Sequence, residues 1–191
     1  MSPRTPHDGA MTTYSIPGLS EKDSSKLVQL LQGRLSAYND LHLTLKHVHW
    51  NVVGPNFIGV HEMIDPQVEL VRGYADEVAE RIATLGGSPK GTPGAIVEDR
   101  TWEDYSLGRD TVPAHLAALD LVYTGVLTDL RKAIERAGEI DPVTEDLLVS
   151  EAGELEQFQW FVRAHLENAG GHLVHEGATT ETEAADSARD L

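Results

Sequence analysis

The chain has 191 residues, 31 acidic side chains against 15 basic ones, a formal charge of −16 and no cysteine. That length suits one domain with a sizeable core, and the missing thiols exclude disulfides, thiolate metal sites and cysteine nucleophiles. A surface this acidic repels nucleic acid and anionic membrane and attracts cations, and nine histidines favour ions bound by oxygen and imidazole.

Residues 1–19 read as an N-terminal arm. They lack the basic start and apolar block of a signal peptide. No apolar run is long enough to span a bilayer. Ser20 and Asp23 look like a helix N-cap with an acid at the third position. From Leu27 the apolar residues Leu30, Leu31, Leu35, Tyr38, Leu41, Leu45, Val48 and Val52 recur every three or four positions, which predicts a helix ending near residue 53. Gly54-Pro55-Asn56 breaks it. A second helix is expected over 57–85, with Val60, Ile64, Val68, Val71, Val78, Ile82 and Leu85 inward and Pro66 as an internal kink or a lost hydrogen bond.

Residues 86–108 form a long Gly- and Pro-rich connection anchored by Trp102 and Tyr105. A loop of that length crosses over something or carries function. A third helix is expected over 109–137, with Pro113 in its first turn. Asp141-Pro142 reads as the N-cap and first residue of a fourth, running to about residue 169. Four long helices with one long central link make an all-α chain, a ferritin-like four-helix bundle (20–171) with its crossover between helices two and three. The tail, 172–191, lacks an apolar period and reads as flexible and acidic. His7, His172 and His175 read as solvated.

One constellation surrounds the first turn. His49 lies six residues before Pro55 and His61 six after it. In an antiparallel helix pair the two imidazoles are level. Asp65 follows one helical turn beyond His61 and shares its face. Further along the same helix stand Asp76 and Glu80, again four apart. Eleven residues separate Asp65 from Asp76, about 16 Å along the axis at 1.5 Å per residue. Two such pairs cannot hold one ion within one chain. They can if a second copy packs antiparallel across a two-fold axis. The five nitrogen and oxygen ligands would then suit iron(II) oxidation. Plainer readings stand beside this one: His61 with Asp65 as a surface hydrogen-bonded pair, Arg72 with Asp76 as a helical salt bridge, and Glu80 as a solvated acid.

Two neighbouring motifs are excluded. His61-Glu62-Met63-Ile64-Asp65 opens like a zinc-protease helix but has Asp where the second His belongs. No glutamate has a histidine three residues later, so the Glu-x-x-His pattern of a site inside the bundle is absent.

The runs KHVHWNVVGPNFIGVHEMID and DEVAERIATLGGSP strongly resemble the Dps family of miniferritins (DNA-binding protein from starved cells), its actinobacterial members most. The resemblance covers roughly residues 14–172. It implies a cytoplasmic, hollow homododecamer that oxidises iron(II), generally with hydrogen peroxide in preference to oxygen, stores iron(III) oxide and so protects DNA. It places the ferroxidase ligands at His49, His61, Asp65, Asp76 and Glu80 across the two-fold interface, with Trp50 as the aromatic beside the centre. Glu145, Asp146, Glu151 and Glu154 become candidates for an acidic threefold pore.

The sequence departs from the resemblance at its ends. Many relatives bind DNA through basic tails. Here Glu181, Glu183, Asp186 and Asp190 face a single Arg189, and the N-terminal arm sets Arg4 against Asp8. Compaction of DNA as a nucleoid protein is the alternative function, and this charge argues against it.

Overall fold

The computed structural model describes residues 16–191. Most of the N-terminal arm, with His7, Arg4 and Asp8, lies outside the described residues. Four long helices carry the fold: α1 (Glu21–Asn51), α2 (Phe57–Thr84), α4 (Val112–Gly138) and α5 (Pro142–Ala164). Two short helices, α3 (Pro93–Asp99) and α6 (Glu181–Ala188), pack beside them. None of the described helices is long and apolar enough to cross a membrane.

The α1 N-cap forms as its residues predict. The Ser20 side chain accepts from the Asp23 backbone N–H, which satisfies one of the donors that the first turn leaves free. The Leu27, Leu31, Tyr38, Leu41 and Leu45 stripe is fully covered. It meets the Ile64, Val71, Val78 and Ile82 stripe of α2 and the Leu116, Tyr123 and Leu130 stripe of α4 in one core. Burying each such side chain is worth about 1.5–3 kcal/mol. Asp141 caps α5 by accepting from the Val143 and Thr144 backbone N–H groups, and Pro142 occupies the first turn, where a missing N–H costs nothing.

The α1–α2 turn uses left-handed backbone at Gly54 (φ 98°) and Asn56 (φ 63°), conformations that glycine and asparagine adopt most cheaply. Between α1 and this turn, Val52–Val53 (β1) pairs in parallel with Asp110–Thr111 (β2), just ahead of α4. Nothing in the hydrophobic periodicity announces this two-residue ladder. It supplies backbone partners where α1 has stopped.

The connection 86–108 crosses α1. A Cβ on Gly87 would sit 2.7 Å from Val28 Cγ1, so glycine permits the close approach there. Gln32 receives the Lys90 backbone N–H and donates to the Lys90 carbonyl, each at 2.9 Å. Trp102 and Tyr105 do anchor the segment: Trp102 Nε1 donates to Asp40 (2.8 Å), and Tyr105 Oη lies 3.0 Å from His115 Nδ1.

Four expectations need correction. The fourth long helix ends at Ala164 rather than near 169. Beyond it the chain turns back through a Glu167–Leu173 bridge. The region 172–191 is also not a loose tail. Its α6 starts with a capping box from Thr180 and Glu183 and buries Ala184, Ala185 and Ala188 completely. Small residues replace the bulky apolar stripe by which such a helix is usually recognised, so its buried face has almost no hydropathy signal. Polar contacts add to the hold. His175, 4% exposed, meets Asp120 at 2.9 Å, Glu181 accepts from the Ser106 backbone and hydroxyl, and Arg189 pairs with Asp110. His175 is therefore a buried partner of Asp120 and not a solvated bystander, whereas His172 is exposed beside Glu176.

Glu151, a candidate pore acid, points into the bundle. It is 0% exposed and accepts from the Tyr38 hydroxyl at 2.5 Å. It cannot line a pore from there. Burial pushes its carboxyl up to about 8, against the opposing Tyr38 hydrogen bond.

This raised pKa has a signed consequence for stability. Below about pH 4 folded and unfolded chains both hold the proton and the contribution is fully present. As pH rises from about 4 to about 8 the unfolded chain releases its proton while the fold retains it, so stability falls throughout that window. Glu151→Gln removes the titration. Its denaturation free energy should match wild type near pH 4 and exceed it by on the order of a few kcal/mol near pH 8. Parallel stability–pH curves would contradict the assignment.

Candidate metal centre

The helix break at Gly54 folds α2 back along α1 and brings His49 and His61 together, as their equal spacing from Pro55 requires. The two rings stack with centroids 3.6 Å apart and planes 23° apart. Each is then tied to the other's backbone. His49 Nδ1 lies 3.0 Å from the His61 carbonyl, and His61 Nδ1 lies 2.9 Å from the His49 carbonyl. A carbonyl oxygen can only accept, so each Nδ1 carries the proton in these bonds. Each Nε2 is then left with a bare lone pair and no protein partner among the described residues. A metal-binding imidazole is commonly oriented this way, its second nitrogen donating to a backbone oxygen. His49 is 7% exposed, so its ring has little freedom to turn. Phe57 lies against His61 with centroids 5.0 Å apart.

Asp65 reaches the same place. Its Oδ1 is 3.3 Å from His49 Nδ1 and 2.9 Å from the Lys46 ammonium. The Lys46 contact, opposed by desolvation and aided by the two imidazoles, holds the Asp65 carboxyl below its ordinary range. Lys46 was not singled out from the sequence, yet the same arithmetic finds it. Residues 46 and 65 are level across the turn within one residue of the register that pairs 49 with 61. Lys46 also stands over Trp50, its nitrogen 5.8 Å from the ring centroid. A cation arriving at Asp65 displaces an ammonium from an exposed carboxylate, and such exposed pairs are weak.

Asp76 and Glu80 lie on α2 and are exposed. The plain alternative for Asp76, a salt bridge with Arg72, does not form: Arg72 pairs with Glu69 at 3.1 Å. Nor does Asp65 pair with His61, since Lys46 and His49 hold it. On the helix α2 the eleven residues from Asp65 to Asp76 span about 16 Å. Among the described residues, no three His, Asp or Glu side chains of one protomer are grouped to hold a metal ion, because Asp65 stands at His49 Nδ1 and not at the free Nε2. One protomer thus presents two separated candidate half-sites. One is a pair of imidazoles with Asp65 beside them, and the other has two carboxylates. Of the remaining pore candidates, Glu154 accepts from the Tyr74 hydroxyl at 2.6 Å, and Asp146 is exposed while Glu145 is half-buried.

Comparison with known proteins agrees with this architecture. The ferritin-like domain family matches residues 28–170. The chain is 75% identical over 179 residues to a "DNA protection during starvation protein" of Mycolicibacterium smegmatis, covering 94% of this chain and 98% of that one. The solved structure of Mycobacterium smegmatis Dps superposes with a TM-score of 0.87 at 75% identity, over 89% of this chain and 97% of the other. DpsA14 from Streptomyces coelicolor gives a TM-score of 0.84 at 62% identity, over 86% and 98%. The chain belongs to the ferritin-like family and, within it, to the Dps (DNA protection during starvation) family.

Proposed function

We propose that this Dps-family chain is a ferroxidase that works as a homo-oligomer: it oxidises iron(II) with hydrogen peroxide and stores the iron(III) product in the cavity of a dodecamer. The observation that carries the reading is the pair of imidazoles, one on α1 and one on α2, locked through Nδ1 with each Nε2 left without a protein partner among the described residues, while Asp76 and Glu80 lie too far along α2 to complete the shell. Two copies packed antiparallel across a two-fold axis bring His49, His61 and Asp65 of one together with Asp76 and Glu80 of the other, twice. The surface around the first half-site suits such cover. Trp50 is 71% exposed and Leu43, two turns back along α1, is 54% exposed, apolar area that a monomer leaves in water at a cost.

In that arrangement iron(II) is a substrate held by two nitrogens and by carboxylate oxygens, a mixed set that suits iron in either oxidation state. The carboxylates offset the charge that grows as iron(II) becomes iron(III). Two iron(II) ions supply two electrons to one hydrogen peroxide, which with two protons leaves as two waters. Pairing the electrons avoids hydroxyl radical, and DNA protection follows from the chemistry. A charge of −16 draws cations to the assembly. The setting this suits is the cytoplasm.

The second reading, a nucleoid protein that compacts DNA, needs free basic residues at the ends. Near the C-terminus Arg189, the residue that follows α6, is engaged by Asp110 and Asp186. A cage with an inactive site is the third reading, and an iron assay separates it from the first.

Replacing His49 or Asp65 by alanine should slow peroxide-driven loss of iron(II) at least tenfold, since even residues that only orient metal ligands are worth about 10–100-fold. An unchanged rate would sink the ligand assignment. In a gel-shift assay at about 0.15 M salt the protein should leave DNA unretarded, because too few cations are available to displace counterions. A shift that persists at that salt would favour the compacting reading instead.

A further inference from the structure

A cavity of about 530 Å³ lies outside the iron half-sites, walled by α1, by α4, by the end of the crossover and by the N-terminal approach to α6. Its size falls within the range of ordinary ligand pockets. Its body is apolar, with Ala37 and Leu41 on one wall and Leu121, Val122 and Val126 on the other. Gly125, on the α4 wall, has nothing within 4 Å of where a Cβ would stand, so the groove is open along that helix.

One side chain in this cavity is poorly satisfied. Arg34 is 8% exposed, and its one described bond is a long contact of 3.4 Å from Nη1 to the Val126 carbonyl. It takes part in none of the ion pairs among the described residues, although a guanidinium offers five donors. Burial lowers its pKa from the ordinary value, yet an arginine stays charged at any working pH. Asp129 and Glu151 act on it through space, but Glu151 is taken by the Tyr38 hydroxyl. No carboxylate among the described residues pairs with Arg34 directly, and a buried cation without a direct partner is costly.

The acids around the cavity do not fill that role. Asp40 accepts from Trp102 Nε1 and pairs with Arg100, and Asp104 also pairs with Arg100. Asp129 is held by Lys132 at 2.9 Å, and Glu181 by Ser106. Glu103 is exposed to solvent. Among the described residues, then, no carboxylate makes direct contact with Arg34 at its end of the apolar groove. Thr44, at the far end of the α1 wall, lies ten residues further along, about 15 Å away.

We propose that this cavity binds an amphiphilic monocarboxylate, with its carboxylate on Arg34 and its apolar body between α1 and α4. A carboxylate matches the guanidinium fork geometrically, and the apolar walls take up a chain or ring that a simple inorganic anion lacks. The site is independent of the iron chemistry, because none of the proposed iron ligands lines it.

Octanoate is the probe, titrated calorimetrically into the full-length assembled protein, with octan-1-ol and acetate as the uncharged and bodiless controls. Octanoate should bind saturably at one per chain, at least tenfold more tightly than either control. Arg34→Gln should weaken octanoate at least tenfold and leave octan-1-ol unchanged. Gly125→Leu projects into the groove where a Cβ meets nothing within 4 Å, leaves the Arg34 charge in place, raises helix propensity and should abolish octanoate binding. If Arg34→Gln fails to fold, the Gly125 variant and the octan-1-ol comparison on wild type carry the test. Absence of saturable binding to wild type overturns the proposal. So does octanoate binding that survives Gly125→Leu, or that survives Arg34→Gln in a folded protein.

Discussion

The reciprocal bond between each imidazole and the other's backbone is the constraint on which the fold around the turn and the proposed chemistry both depend. His49 and His61 face each other across the turn, and each Nδ1 donates to the carbonyl of the opposite residue. The two contacts fix the ring tautomers and the separation of α1 from α2 at one height. They also require the left-handed backbone at Gly54 and Asn56, since any longer or shifted turn would move the two residues off level. Local turn chemistry, helix register and ligand orientation are here one requirement seen at three scales.

The same constraint creates an incompleteness. A helix rises about 1.5 Å per residue, and no side chain bridges eleven residues to a common ion. Asp76 and Glu80 are therefore left exposed on their own protomer. A monomer with two candidate half-sites that cannot meet, and with Trp50 and Leu43 bare beside one of them, is the physical ground for proposing that the reaction belongs to an assembly. The ferritin-like core supplies rigidity and leaves its interior to Tyr38, Tyr123 and leucines, with Glu151 kept inside as an acid whose burial opposes ionisation.

The four long helices were legible because their apolar residues are large and regularly spaced. The meeting of His49 with His61 was legible because turn symmetry and helix rise are arithmetic. Other features left weaker traces. The hold of α6 on α4 rests on alanines and on His175 with Asp120, residues 55 apart in sequence, and neither gives a periodic signal. The β1–β2 ladder is two residues long and made by residues far apart in the chain. The inward turn of Glu151 is set by Tyr38 on another helix, and position on the helix alone suggested a solvated face. Lys46 on Asp65 was within reach of the register argument but lay outside the residue types sought as ligands.

Complementation in mixed assemblies tests the shared centre most directly. One variant lacks His61 and Asp65, and the other lacks Asp76 and Glu80, all as alanine. Each alone should fail to oxidise iron(II) with peroxide. Refolded together, every mixed two-fold pair regains one intact centre, because the second variant's His61 and Asp65 meet the first variant's Asp76 and Glu80. Recovery of activity in the mixture, in proportion to the mixed pairs formed, is the result the account predicts. A mixture that assembles yet remains as inactive as its parents would contradict it.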